Sequence, residues 1–144
     1  MGGYLGLDVG DKRLGIAFLD DEVRIAFPQK AVLRQEAQKA LLGLIATRGV
    51  HSIIVGLPLT AEGKMTPQAA KVKKFVANLV KSGFKTVFKY VDEHLSSEDA
   101  SERLRDAGLS VADARKSGAL DCMVAALLLE GYIKGEIPEV KVAP

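Results

Sequence analysis

The chain has one cysteine, two histidines and no tryptophan in 144 residues, and each scarcity removes a class of function. A lone thiol, Cys122, cannot close an internal disulfide, and its place in an apolar helical run reads as a buried side chain. Zinc sites need clustered cysteine and histidine, whereas His51 and His94 stand apart. No apolar run is long enough to cross a bilayer, and no basic-then-apolar leader precedes the first strand. The expectation is therefore a cytoplasmic protein with no membrane partner. The chain also lacks a G-x-S-x-G elbow, a G-x-x-x-x-G-K-[ST] loop and a G-x-G-x-x-G turn after a strand. Serine-nucleophile, P-loop and dinucleotide chemistry lose their usual signatures.

What remains suits one soluble domain, since 48% of the residues are hydrophobic and 26% charged. Residues 1–135 are read as that domain, and 136–144, with two prolines, as a loosely held tail. The net charge is only +2, but seven lysines and no acid lie between Gly63 and Val91. A field of one sign favours a polyanion, and aromatics are too sparse there to indicate base stacking. Contacts to phosphate fit this pattern better than sequence reading does.

The most unusual stretch is Leu5-Gly6-Leu7-Asp8-Val9-Gly10-Asp11-Lys12-Arg13-Leu14-Gly15-Ile16-Ala17. Leu5, Leu7 and Val9 alternate with Gly6 and Asp8, which predicts a strand with one apolar face. A second strand over 14–19 makes a hairpin with Lys12 and Arg13 near its tip. Between two glycines, the Asp8 carboxylate has open space that a metal ion or phosphate could enter, although bonding to neighbouring amides is the plainer use.

Further along, 22–27 reads as a third strand ended by Pro28, and 35–48 as a helix closed by Gly49. A short strand over 52–55 stops at Gly56-Leu57-Pro58, followed by a polar loop over 59–66. Pro67 opens a helix to Lys81, and 85–91 is the fifth strand, running into Asp92-Glu93-His94. Helices are predicted over 96–107 and 118–133, the second capped by Ser117. The expected architecture is α/β, with a five-stranded mixed sheet made of an antiparallel three-strand meander plus two parallel strands, flanked by helices.

Asp121 shares a helical stripe with Val124, Ala125 and Leu128, where an unpaired charge is costly to bury. Either an ion pair with Arg115, Lys116 or another base, or a divalent cation shared with Asp8 and Glu93, would neutralise it. Carboxylates with water suit Mg²⁺ or Mn²⁺. Acids, metal and a lysine-rich flank together point to phosphodiester hydrolysis.

At these residues the chain resembles the YqgF/RuvX family of Holliday-junction-resolvase-like proteins. The blocks are Gly6 to Ala17, Val55-Gly56-Leu57-Pro58, Asp92-Glu93-His94-Leu95-Ser96-Ser97 and Leu120-Asp121, in that order. The resemblance implies a ribonuclease H-like sheet and a nuclease acting on branched DNA or on the 5′ end of precursor small-subunit rRNA. It also carries catalytic and metal-binding roles to Asp8, Glu93 and Asp121. His94 stands where the family usually has arginine, and an imidazole is mostly neutral at pH 7. Lys12, Arg13 and His94 are candidates to hold phosphate near the scissile bond, with Lys64, Lys71 and Lys74 guiding the strand. Symmetric junction cleavage would need two active sites, which brings a homodimer among the allowed assemblies. Two other readings stand beside this one. The D-x-G hairpin also resembles the phosphate loop of actin-like kinases, which need two such domains, and the fold could serve as a nucleic-acid-binding module without turnover.

Overall fold

The computed structural model describes residues 2–93 and 96–141, and at Ser96 and Ser97 the backbone alone. Strands β1 (Gly3–Val9) and β2 (Arg13–Asp20) form the expected hairpin, followed by β3 (Ala26–Pro28) and β4 (Val32–Leu33). A 3₁₀ turn over Arg34–Glu36 leads into α1 (Ala37–Arg48), then β5 (Val50–Leu57), α2 (Pro67–Lys81) and β6 (Val87–Asp92). The chain closes with α3 (Ser96–Asp106), α4 (Val111–Ser117), α5 (Ala119–Ile133) and β7 (Glu139–Val140).

The sheet runs β3-β2-β1-β5-β6-β7, with β4 pairing β2 beside β3. β1 is parallel to β5, and β5 to β6, while the hairpin and both edges are antiparallel. Among the described residues the strands therefore number seven and not five. The two extra strands have two residues each, too short for alternation to register in the sequence. One of them, β7, lies in the segment read as a loose tail and pairs Glu139 with Val91 and Val140 with Tyr90.

The third strand is also shorter than expected. The Asp20 carboxylate accepts from the amides of Glu22 (2.8 Å) and Val23 (3.3 Å), and Arg24 takes a left-handed conformation at φ 61°. A side chain that bonds the backbone ahead of it makes a turn, and that turn takes the place of the strand's first half.

Each face of the sheet carries its own core. On one side Leu5, Leu7, Val9, Ile16, Ile53 and Val55 pack against α1 and α2 through Leu41, Val72, Phe75 and Leu79. On the other, Ala17, Leu19, Ile54 and Val91 meet α3, α4 and α5 through Leu104, Ala114, Val124, Ala125 and Leu128. The alternation of β1 thus sends its leucines to the first layer, leaving Gly6 and Asp8 on the second face, under α5. A β-carbon on Gly6 would come within 2.7 Å of both the Ala125 carbonyl oxygen and Leu129. The missing side chain lets α5 settle directly on the central strand. Among the described residues no helix is long and apolar enough to cross a membrane.

Candidate active site

Three elements deliver one carboxylate each to the same end of the sheet. Asp8 lies at the end of β1, paired across the hairpin with Gly15. Glu93 follows β6 directly, its amide donating to the Leu57 carbonyl at 3.1 Å. Asp121 stands in the first turn of α5. The residue before that helix is Gly118 at φ 84°, not Ser117, which closes α4. The Ser117 cap holds in part: Gly118 takes the cap position in a left-handed conformation, while the Ser117 hydroxyl accepts the amide of Ala119, the first residue of α5, at 3.3 Å.

Glycines on the neighbouring strands make the room. A β-carbon on Gly15 would fall 2.6 Å from Cβ of Asp121, and closer still to its carbonyl group. On β5, register places Val55 beside Leu7, so Gly56 comes next to Asp8. A β-carbon there would meet Oε2 of Glu93 at 2.7 Å. Asp8 therefore sits between two glycines in neighbouring strands, and the other two acids lean over those gaps.

The electrostatics follow from the crowding. The Asp8 pKa is raised well above the carboxylate range by burial, then by the charges of Glu93 and Asp121 and by hydrogen bonds to both. Burial raises Glu93 and Asp121 as well, while a hydrogen bond from Asp8 pulls each back down. Carboxylates this close resist ionising together, so the three titrate as one coupled set. The Arg13 charge also holds Asp121 down. Oε2 of Glu93 is buried with no hydrogen-bond partner, an arrangement native proteins seldom leave uncompensated. Cys122, next in the chain, is buried and accepts the Ile16 amide on its sulfur at 3.3 Å. Burial pushes its thiol up, so it packs as expected.

Among the described residues no three carboxylate, imidazole or thiol groups already stand as a finished metal cage. The donor set nonetheless fits a hard divalent cation: all oxygen, excess negative charge, an orphaned oxygen, and glycine gaps where side chains would otherwise intrude. Asp8, Glu93 and Asp121 are the residues that would hold it.

Beside Asp121 opens a cleft of about 370 Å³ lined by Gly10, Asp11, Lys12, Arg13, Arg115, Lys116 and Asp121. Lys12 and Arg13 are where the sequence puts them. The Arg13 guanidinium also donates to the Lys116 carbonyl, tying the hairpin to the α4–α5 junction. In the sequence Arg115 and Lys116 offer themselves only as ion-pair partners for Asp121, because α4 is not among the predicted helices. Its signal is present, since Ser110 caps the Asp113 amide at 3.2 Å in an S-x-x-D pattern. Lys64 lies exposed in the loop after β5. Lys71 is exposed on α2 and Lys74 stands beside it on the same helix, which packs on the opposite face of the sheet. None of these three lines the cleft. His94 lies outside the described residues.

A mixed sheet with acids at the tip of its first strand and a helix laid over that strand is the ribonuclease H-like architecture of resolvases. RuvC of Thermus thermophilus, solved with a Holliday junction substrate, superposes with a TM-score of 0.60 at 15% identity, covering 97% of this chain and all of that one. Fowlpox virus resolvase, solved with Holliday junction DNA, gives a TM-score of 0.51 at 11% identity over 92% of this chain and 97% of its own. At those identities the likeness is one of fold. The chain itself belongs to the RuvX family, whose model, described as Holliday junction resolvase, matches residues 2–135. A relative in Chloroflexus aggregans is 36% identical over 90% of this chain and 91% of its own length. One in Halothermothrix orenii is 35% identical over 90% and 92%. Both carry the name "Putative pre-16S rRNA nuclease".

Proposed function

We propose that this chain is a divalent-metal-dependent nuclease that hydrolyses phosphodiester bonds in structured nucleic acid, either branched DNA or precursor rRNA. The observation that carries the reading is the crowding of three acids over glycine gaps, one with a buried oxygen lacking a partner, beside a cleft with four basic side chains. Bound by Asp8, Glu93 and Asp121, Mg²⁺ or Mn²⁺ would supply an activated water and charge stabilisation at the phosphorus. The chain's own residues do the rest. Asp8, Glu93 and Asp121 would bind the cation as carboxylates, so metal uptake would draw all three into their ionised form, with any displaced proton passing to solvent. Lys12, Arg13, Arg115 and Lys116 hold the backbone phosphates that enter the cleft, and Arg13 keeps the Asp121-bearing helix in register with the hairpin. The names of the relatives favour precursor rRNA, and the resolvase fold branched DNA. Backbone contacts of this kind fit either.

One observation favours a second reading. The acids as placed do not form a finished cage, which suits a nucleic-acid-binding module without turnover. The deciding experiment incubates the purified protein with a four-way junction, a flapped duplex and a precursor 16S rRNA 5′ end, each with Mg²⁺, Mn²⁺ or chelator. Metal-dependent cleavage of any substrate, abolished in Asp8→Asn, supports the nuclease. Binding that survives chelator, with no product under either metal, supports the module.

A further inference from the structure

The hairpin tip borders a second cavity that the acids do not use. On the opposite face of the sheet a groove of about 710 Å³ is lined by Asp11, Lys12, Leu33, Arg34, Gln35, Ala37, Gln38, Phe75, Asn78 and Leu79. Asp11 and Lys12 line both this groove and the basic cleft, so a strand leaving the cleft over the tip would arrive here. The groove has the make-up of a small-ligand site, with an apolar floor, a few amide groups and a volume in the range of roughly 300–1,000 Å³.

Its distinctive part is Arg34. The guanidinium lies over the Phe75 ring at 4.8 Å, donates to the Gly10 carbonyl at 3.0 Å, and sits on a backbone whose amide donates to the Lys12 carbonyl at 2.8 Å. The group is therefore held over an aromatic ring and fixed to the hairpin tip. Arg34 itself lines the groove. An immobilised guanidinium plane is a stacking surface for a nucleobase, and Gln35, Gln38 and Asn78 around it carry both donors and acceptors for base edges.

We propose that this groove takes an unpaired nucleotide, its base stacked on Arg34 and its phosphate near Lys12, from the same strand whose scissile phosphate lies in the cleft. The occupant is a single-stranded nucleotide because a paired base exposes no face to stack on. The positive charges at the tip match the phosphate that must cross it. This assignment rests on the nucleic-acid reading above and adds a preference to it: substrates with unpaired nucleotides next to the cleavage point over continuous duplex.

The test uses two RNA probes in chelator at fixed salt, a blunt hairpin and the same hairpin with a six-nucleotide 5′ extension carrying 5-iodouridine. Wild type is expected to bind the extended hairpin more tightly, and irradiation to cross-link peptides containing residues 34–38 or 75–79. Gln38→Glu with Asn78→Asp, at exposed positions outside the acid trio, should weaken the extended probe about tenfold and leave the blunt probe unchanged. Arg34→Ala is the stronger variant, and Arg34→Lys, which keeps charge but not the plane, should not rescue it. Equal affinity for the two probes, or cross-links confined to residues 115–121, overturns the groove assignment while leaving the nuclease reading intact. Failure to bind either probe overturns the groove assignment, and the cleavage assay on the junction, flap and precursor rRNA then decides the nuclease reading separately.

Discussion

The backbone of Asp121 rests against Gly15, so that a β-carbon on Gly15 would have to occupy space taken by the Asp121 carbonyl group. The obstruction is backbone, which cannot swing aside as the end of a long side chain can. Gly15→Ala is thus expected to push the start of α5 off the sheet and carry the Asp121 carboxylate away from Asp8. The strain should cost about 1–3 kcal/mol, visible as a lower thermal midpoint, and stabilisation by Mn²⁺ should shrink with it. Unchanged melting and an unchanged response to Mn²⁺ would show that the helix has slack the structure does not suggest. Gly43, on α1 with nothing within 4 Å of an added β-carbon, is the control. There Gly43→Ala should stabilise by about 0.5–1 kcal/mol.

The raised pKa values of the acid trio predict a pH dependence of definite sign. All three acids have pKa values raised in the folded chain, so between about pH 4 and those raised values the folded state holds protons that the unfolded chain has released. Their contribution to stability is fully present below the unfolded pKa and is lost as pH rises through the folded values. Relative to Asp8→Asn, whose amide can still donate to Glu93 or Asp121 but never ionises, the metal-free wild type should lose stability as pH climbs above the ordinary carboxylate range. Divalent ions need the deprotonated trio, so the rise in melting temperature they cause should grow over the same range. The measurement is a thermal-shift series against pH in chelator, Mg²⁺ and Mn²⁺. A difference between wild type and Asp8→Asn that stays flat with pH rules out the raised values.

Asp8→Asn separates stability from function in a further way. Removing one of three crowded acids relieves repulsion, and the variant should melt at or above the wild-type temperature in chelator near neutral pH, the usual trade at a strained site. Its response to Mg²⁺ and Mn²⁺ should nearly vanish, and cleavage should fall by more than the about 10–100-fold expected from disturbing a supporting residue. A variant that melts well below wild type in chelator would instead give Asp8 a structural role.

Much of this site is legible in the sequence because each acid breaks a local rule. Asp8 interrupts a strand between glycines, Asp121 interrupts a buried helical stripe, and Glu93 ends an apolar strand. Residues that flout the pattern of their own element report on partners elsewhere. Less visible is anything set by a distant contact. Gly15 reads as an ordinary strand glycine until α5 is laid across it. The two-residue strands β4 and β7 depend on neighbours to pair with, and the first half of the third strand gives way to a turn dictated by the Asp20 side chain. Arg34 carries no signal in the sequence, since Phe75, the ring it lies over, is 41 positions later. The lysine run is placed by the fold in the same way, with Lys71 and Lys74 on a helix of the other face. Charge density along the chain carries no information about which face of a sheet a helix will cover.

Arg115 and Lys116 line the cleft beside Asp121, whereas Lys71 and Lys74 lie on a helix that packs on the far face. If phosphates enter the cleft, Arg115→Gln with Lys116→Gln should remove two of the cations they meet and lower the slope of log affinity against log salt by about 1–2. The paired change Lys71→Gln with Lys74→Gln alters net charge equally, and so controls for long-range attraction. On a blunt probe, which does not reach the groove lined by Phe75 and Asn78 of the same helix, it should leave the slope nearly unchanged, with only a modest effect on association rate at low salt. Titrations of a labelled structured RNA from about 50 to about 200 mM salt distinguish the two. A slope that falls as much for the α2 pair as for the α4 pair would mean that the nucleic acid runs along the lysine-rich helix, and the binding surface would have to be redrawn around it.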